Sequence, residues 1–194
     1  ALSSAASDVY KRQVSYWGRP HDYLWLGTFS PYLLHQQMKL AYDRGIQKMW
    51  VLNVGDIKPA EYQIELFLDM AWNIDEVNEI GVTAHLKSWL GREFGSNCAE
   101  ELLSAMEAHY HLSYIRKPEF MGNTREEERD PKYKVIKDLP WSEQTISERL
   151  RSYTVLSDVV ERIESNIPAD RQDAYFQLVK YPVQAAAQMN RKIL

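Results

Sequence analysis

The chain has 194 residues, of which 45% are hydrophobic and 26% charged, with a formal net charge of −4 at pH 7. This length allows one large core or two small ones, and the composition is that of a globular protein. A negative charge without a basic cluster among aromatic residues argues against nucleic acid as a partner. The single cysteine, Cys98, excludes an internal disulfide and a cysteine-ligated metal site. No apolar run reaches the roughly 18 to 20 residues of a membrane span.

Residues 1–13 are small and polar and lack the periodic pattern of the sequence that follows. Their last six residues, DVYKRQ, correspond to the translation of a transposon mosaic-end adapter used in sequencing libraries. We therefore interpret residues 1–13 as a sequencing-adapter or assembly scar and leave them out of the fold prediction. A natural disordered N-terminus is the alternative. On the scar interpretation, the missing signal peptide carries no information about localisation.

Residues 14–79 alternate between strand and helix patterns. A short β-favouring piece comes first, and a helix is predicted between Ser30, a good N-cap, and Gly45, a good C-terminal stop. An apolar strand follows at 47–54, and apolar residues at helical spacing predict a second helix around 64–72. This alternation predicts parallel strands with right-handed crossovers. Two such units cannot close a barrel, so the segment is predicted to end a larger α/β domain.

Residues 80–194 carry helical patterns and no further strand pattern. The predicted helices are 85–95, 99–115, 142–165 and a last helix from about Ala169. Pro182 is expected to kink or break the last helix. The charged stretch 115–134, with its proline and glycine residues, is predicted to be a long loop. Several amphipathic helices in series predict a helical bundle, so the fold class is α/β followed by all-α.

Polar side chains follow both predicted strands at their carboxyl ends. Arg19 and His21 follow the first strand, and Asn53 and Asp56 follow the second. Because neighbouring parallel strands end at the same edge, where ligands bind in α/β proteins, these residues predict a pocket. The structural alternative is that Asp56 pairs with Lys58 in a tight loop while Asn53 binds backbone amides. No phosphate-binding glycine loop, Ser-His-Asp order or metal-ligand motif is found, so no cofactor and no metal are predicted.

Three further features have a functional and a structural explanation. Strand alternation turns Tyr16 to a different face from Ser15, and Tyr16 is as readily a core tyrosine as a pocket residue. His109 and His111 lie two apart on a helix and cannot share a face, which argues against a metal site there. The six tryptophans would suit stacking on sugar rings, but tryptophans at apolar helical positions usually pack in cores.

Five longer segments are more specific together than any of these features alone. They are SYWGRPHDYLWLGT, WVLNVGDIKPAEY, ELFLDMAWN, YIRKPEFMG and LVKYPVQAAAQMNRK. Together, and in this order, they resemble glycoside hydrolase family 115, the xylan α-1,2-glucuronidases. The resemblance covers nearly everything after Gln13. It implies a (β/α)8 (TIM) barrel, whose last strands and helices would be residues 14–79, followed by a helical bundle domain at 80–194.

The resemblance also implies an activity. Family members remove glucuronic acid or 4-O-methylglucuronic acid side chains from xylan by inversion, which requires a carboxylic acid and a carboxylate base. Both carboxylates would come from barrel strands upstream of this sequence, so the chain is expected to be inactive alone. The implied substrate is glucuronoxylan or a xylo-oligosaccharide. A periplasmic or secreted bacterial parent is implied, and a homodimeric parent is allowed.

Residue by residue, the resemblance carries over to a small set of positions. Asn53 matches the asparagine of the family's VLNVGDIKP segment and is expected to be catalytic and substrate-binding. Tyr16 matches the tyrosine of a His-x-Ser-Tyr pattern and is expected to contact the uronic acid. The histidine of that pattern would fall at position 13, where this sequence has Gln13. The remaining substrate-binding candidates are Arg19, His21 and Asp56.

Two other classes of function stay open. One is a helical oligomerisation or interaction module, in which the bundle provides the interface. Such a module would leave an apolar stripe of a bundle helix uncovered. The other is a carbohydrate-binding protein without catalysis, which would bind uronate tightly.

Overall fold

The computed structural model describes residues 11–16, 24–121 and 139–194. These residues are mostly helical, with a small two-stranded parallel sheet. Strand β1 is Lys11–Ser15 and strand β2 is Met49–Asn53. The helices are α1 Pro31–Asp43, α2 Glu61–Trp72, α3 Ile74–Ile80, α4 Val82–Phe94, α5 Ala99–Ile115, α6 Glu143–Glu164, α7 Gln172–Tyr175 and α8 Tyr181–Ile193. None of the helices in these ranges is long and apolar enough to cross a membrane.

The two strands pair in parallel and are connected through α1, which confirms the strand order predicted from the alternating pattern. Lys11 lies opposite Met49, and Ser15 lies opposite Asn53. β1 begins three residues earlier than the predicted start at Val14. Residues 11–13, which the sequence interpretation left out of the fold, therefore belong to the sheet.

Among the described residues, one face of the sheet is covered and the other is open. The ring of Trp50 in β2 lies 6.0 Å from that of Phe67 in α2, so this side of the strand packs against the helices. Side chains alternate along a strand. Those on the other side are Lys11, Gln13 and Ser15 of β1 and Met49, Val51 and Asn53 of β2. Gln13 and Ser15 are exposed, whereas parallel sheets are normally covered on both faces.

The helix boundaries follow local signals in the sequence. The Ser30 hydroxyl accepts a hydrogen bond of 3.4 Å from the backbone N–H three residues later, and Pro31 begins α1. The chain leaves α1 through Gly45 at a φ of +87°, which favours glycine. Ser142 caps α6 in the same way at 3.2 Å. The helices predicted at these two places are confirmed.

One continuous hydrophobic core joins the strand-helix segment to the bundle. It contains Leu66 of α2, Leu90 of α4, Leu102 of α5 and Val183 of α8, each fully buried. Burying a side chain of this size contributes about 1.5–3 kcal/mol. The boundary predicted between residues 79 and 80 falls in the last turn of α3, and the core extends across it.

The last helix is interrupted before Pro182, as its sequence predicts. Between α7 and α8 the chain forms a π-helical segment, Phe176–Lys180. Pro182 has no N–H to donate, so the regular hydrogen-bond ladder cannot continue through it. The wider turn brings the rings of Phe176 and Tyr181 to 5.9 Å. In a regular α-helix, positions five apart point about 140° away from each other and would not meet.

A buried arginine connects α5, α6 and α8. Arg149 is 5% exposed, and its guanidinium donates to the carbonyls of Leu112 at 3.0 Å and Arg116 at 2.7 Å. It also donates to the side-chain oxygen of Asn190 at 2.6 Å. The two carbonyls lie at the C-terminal end of α5, where backbone acceptors run short of partners within the helix; the Leu112 carbonyl also accepts from the Arg116 N–H at 3.3 Å. Arg149 therefore caps α5 and fixes its end against α6 and α8.

A buried histidine ties the start of α1 to the bundle. His109 of α5 is fully buried, and its Nε2 lies 2.8 Å from the carbonyl of Leu26 in the 3-10 turn Leu24–Leu26. Burial lowers the pKa of His109 to about 4. The imidazole is therefore neutral at pH 7 and donates its Nε2 proton to this carbonyl.

Candidate active site

The carboxyl ends of β1 and β2 place two of the predicted site residues side by side. The backbone N–H of Tyr16 donates to the carbonyl of Asn53 at 3.0 Å, which extends the strand pairing by one bond. Asp56 follows in the loop after β2. Arg19 and His21 lie outside the described residues. The structure therefore locates three of the five predicted site residues, all at one edge of the sheet.

Tyr16 turns its side chain toward the helices. Its ring lies 4.4 Å from that of Phe29, and its hydroxyl donates to the backbone carbonyl of Gln63 in α2 at 2.6 Å. The residue is 4% exposed, and burial raises the pKa of the phenol. The hydroxyl thus connects the end of β1 to α2, the structural role that the sequence left open. A contact between this hydroxyl and a uronic acid stays a prediction.

Asn53 ends β2 on the open face of the sheet and is half-buried. Its backbone is held by the strand pairing and by the bond from Tyr16. A primary amide offers two donors and an acceptor, so it can bind a sugar hydroxyl, a carboxylate or a water molecule. It cannot act as a proton donor of useful strength, and its chemistry is therefore orientation rather than acid-base transfer.

Asp56 is exposed in the loop between β2 and α2. Within the described part of the chain, no ion pair joins Asp56 to Lys58, which is also exposed. The loop is closed instead by a backbone bond of 2.8 Å from the Ala60 N–H to the carbonyl of Ile57. The structural alternative of a pairing within this loop is not observed. Asp56 is thus accessible to a ligand at the edge of the sheet.

Glu61 is a carboxylate at this edge that sequence reasoning missed. It begins α2 directly after the loop from β2. Its Oε2 is buried and has no hydrogen-bond partner among the described residues. Burial raises the pKa of the Glu61 carboxyl, while its own backbone N–H and the charge of Lys58 oppose that rise. In the sequence, Glu61 is one more acidic residue in the first turn of a helix, where acidic residues are common. Only its burial, which the sequence does not show, distinguishes it from the others.

No group of three or more histidine, cysteine, aspartate or glutamate side chains within the described ranges could hold a metal ion. His109 and His111 face different surroundings. The first is fully buried against the turn before α1, and the second is exposed. This agrees with the expectation that residues two apart on a helix do not share a face.

A parallel strand-helix unit with polar side chains at its carboxyl edge is typical of α/β enzymes. The profile of glycosyl hydrolase family 115 matches residues 5–120, which is more than half of the chain. The chain therefore belongs to glycosyl hydrolase family 115. The match begins inside the segment interpreted as a scar, and residues 11–13 of that segment are the first three residues of strand β1.

A solved structure supports the same family. It is described as "a novel family GH115 4-O-Methyl-alpha-glucuronidase, BtGH115A, with specificity for decorated arabinogalactans". The TM-score is 0.88 at 69% sequence identity, and the match covers 94% of this chain and 24% of that chain. The chain thus spans about a quarter of the relative's length. No curated protein matches the sequence. The family predicted from the five sequence segments is confirmed.

Proposed function

We propose that this chain is part of an inverting α-glucuronidase that removes glucuronic acid or 4-O-methylglucuronic acid from a plant polysaccharide. The observation that carries the proposal is the 69% identity to a 4-O-methyl-α-glucuronidase of the same family. The sequence resemblance implied xylan, whereas the relative is specific for decorated arabinogalactans. Both polymers are therefore substrates to test.

The same proposal accounts for the incomplete sheet. In the described residues, one face of the β1–β2 pair is open and the sheet has only these two strands. We propose that they are the last strands of a (β/α)8 barrel whose other strands lie elsewhere in the full-length protein, the longer chain of which this sequence would be part. A closed barrel would cover the open face and remove both unpaired edges.

In this mechanism the residues of this chain bind and orient the substrate. An inverting glycosidase protonates the leaving glycosidic oxygen with one carboxylic acid and deprotonates a water with a carboxylate roughly 6.5–9.5 Å away. We propose that both carboxylates come from the rest of the barrel. The Asn53 amide would orient the water or a sugar hydroxyl, and Tyr16 would contact the uronic acid. The other proposed binding residues are Arg19, His21, Asp56 and, from the structure, Glu61. Arg19 would pair with the uronate carboxylate.

The experiment compares the 194-residue chain with the full-length protein. Both are incubated with glucuronoxylan, aldouronic xylo-oligosaccharides and glucuronidated arabinogalactan, and released uronic acid is quantified by anion-exchange chromatography. The full-length protein should release uronic acid with inverted anomeric configuration, observed by NMR, and the short chain should release none. Release of uronic acid by the short chain would contradict the proposal that it is inactive alone. A full-length protein without activity on all three substrates would contradict the proposed function.

One observation favours a second candidate, an interaction module. A groove of about 770 Å³ lies between α5 and α6. Its floor includes Ala105 and Ala108, and Val155 on its wall is 54% exposed. A homodimer through this groove would shift the elution volume of the full-length protein, and Val155→Asp would restore the monomer. An unchanged monomeric elution of the unsubstituted protein would remove this candidate.

We further propose that the full-length protein acts in the periplasm or outside the cell. A bacterium encounters these polysaccharide substrates outside its cytoplasm. Cell fractionation of the source bacterium with an antibody against this chain tests the location, and a purely cytoplasmic signal would contradict it.

A further inference from the structure

A second cavity lies between the first turns of α1 and the last half of α5. Its volume is about 480 Å³, within the range of small-molecule pockets. Three tyrosines line it, Tyr32, Tyr110 and Tyr114, together with the polar side chains of Gln36, Glu107 and His111. Aromatic faces combined with a few polar groups are what a pyranose ring needs, because a sugar has apolar C–H faces and hydroxyls around its edge.

Tyr32 and Glu107 are held by hydrogen bonds before any ligand binds. The Tyr32 hydroxyl donates to the Glu107 carboxylate, and the Thr83 hydroxyl donates to the same oxygen at 3.2 Å. Burial and the neighbouring Glu107 raise the pKa of Tyr32 to about 12, so its proton stays in place at neutral pH. A site whose side chains are already ordered loses less conformational entropy on binding. Gln36 and Tyr114 are exposed at the mouth, and Tyr114 is 71% exposed.

The charge of the cavity selects against the uronic acid. Glu107 places a carboxylate in the wall, and a uronate carboxylate brought next to it would be repelled. Neutral sugar hydroxyls, in contrast, can donate to a carboxylate oxygen. The cavity therefore suits the uncharged sugars of a polysaccharide and not its acidic side chain.

A short hydrogen-bond chain joins the cavity to the candidate active site. The Tyr16 hydroxyl donates to the carbonyl of Gln63 at 2.6 Å, and the side chain of Gln63 donates to the hydroxyl of Tyr110 at 3.3 Å. Tyr110 is a wall of the cavity. In addition, α1 follows β1, so its first turns lie toward the edge of the sheet at which β1 ends. A polymer held at this edge can therefore extend into the cavity.

We propose that the cavity formed by Tyr32, Glu107, Tyr110 and Tyr114 binds a neutral sugar of the polysaccharide main chain while the uronic acid occupies the active site. The inference rests on the proposed function for its polymeric substrate. The neutral-sugar preference, however, follows from the cavity itself. A binding measurement without turnover can therefore test it separately.

The kinetic test uses the full-length protein and the substitution Tyr114→Ala. Loss of one stacking ring should raise KM for the polymer about two- to tenfold and leave kcat on a short aldouronic disaccharide unchanged. Phe176→Ala is the matched control, because Phe176 is also an exposed aromatic residue, 50% exposed, and lies on the π-helical segment outside the cavity. Equal KM values for the wild type and Tyr114→Ala would overturn the proposal. So would a fall in thermal stability of Tyr114→Ala alone, since it would show that the ring packs against other parts of the protein.

The binding test uses neutral probes, xylohexaose and a β-1,6-linked galactohexaose, in isothermal titration calorimetry. The wild type should bind at least one of them, and Gln36→Ala, an exposed substitution that cannot disturb the core, should weaken it. Glu107→Gln should also weaken the binding of the neutral probe, because a neutral amide oxygen accepts a hydrogen bond from a sugar hydroxyl less strongly than a carboxylate oxygen does. No binding of either neutral probe, or unchanged affinity for these probes in both Gln36→Ala and Glu107→Gln, would overturn the proposal. If the protein binds a neutral probe but has no glucuronidase activity, the proposed function is contradicted and the proposed sugar-binding cavity is not.

Discussion

Replacing Tyr16 by phenylalanine separates the structural role of this side chain from its role at the site. The substitution removes the buried hydrogen bond of 2.6 Å to the carbonyl of Gln63 and no carbon atom. Tyr175 is a matched control in the bundle. It is fully buried, and its hydroxyl donates to the carbonyl of Val160 at the same distance, 2.6 Å. Tyr16→Phe and Tyr175→Phe therefore remove equivalent bonds at different distances from the sheet edge.

The two variants should lose similar stability. A buried hydrogen bond of this kind contributes about 1 kcal/mol, and that loss lowers the thermal midpoint of a domain of this size by about 2–4 °C. Activity should differ. Tyr16 is bonded through its backbone to Asn53, and the proposal places its hydroxyl against the uronic acid. A lost hydrogen bond to a charged group corresponds to about a tenfold or greater fall in kcat/KM, which Tyr175→Phe should not show.

Both variants are made in the full-length protein. Thermal unfolding is followed by tryptophan fluorescence, and initial rates are measured on an aldouronic oligosaccharide. If Tyr16→Phe and Tyr175→Phe have the same kcat/KM as the wild type, the hydroxyl of Tyr16 is structural only. That result would remove Tyr16 from the substrate-binding set.

Three further predictions test other parts of the structure. Asn53→Ala in the full-length protein should lower kcat on the order of 100-fold, because an orienting hydrogen-bond donor is lost, and should leave the thermal midpoint unchanged. Near-normal turnover in this variant would exclude Asn53 from the site. Arg149→Met should cost about 3 kcal/mol of unfolding free energy in urea titrations, because three hydrogen bonds of a buried side chain are lost at about 1 kcal/mol each. The exposed Arg151→Met should cost less than about 0.5 kcal/mol. The pKa of His109 is about 4 in the folded protein, so acid favours the unfolded chain, which takes up a proton near its usual pKa of about 6.5. Between about pH 6.5 and pH 4, His109 should lower the free energy of unfolding by about 1.4 kcal/mol for each unit of falling pH. This contribution should disappear in His109→Gln and persist in the exposed His111→Gln.

The helices and the second strand were predictable because their signals are local. A serine that caps a backbone N–H three residues away, as Ser30 and Ser142 do, uses only its own neighbourhood. The start of β1 was less predictable. Residues 11–13 are polar and exposed, so their strand pairing with β2 leaves no apolar pattern to detect.

The candidate site was predictable in position but not in detail. Strand order placed Asn53 and Tyr16 at one edge, and the structure has them joined by a hydrogen bond. The partner of the Tyr16 hydroxyl was not predictable, since Gln63 lies 47 residues further along the chain. The buried oxygen of Glu61 was equally hidden, because burial depends on what packs above a helix and not on the residues within it.

By itself, the sequence determined the family, the order of strands and helices, and the edge at which polar side chains gather. These follow from periodicity, capping residues and segments that are similar to known proteins. Only the tertiary structure decided which face of the sheet is open, what Tyr16 binds, and that Tyr32 and Glu107, 75 residues apart, form one wall of a cavity. The physical reason is that hydrogen bonds within a helix or turn are encoded locally, whereas burial and cavities arise from packing between distant segments.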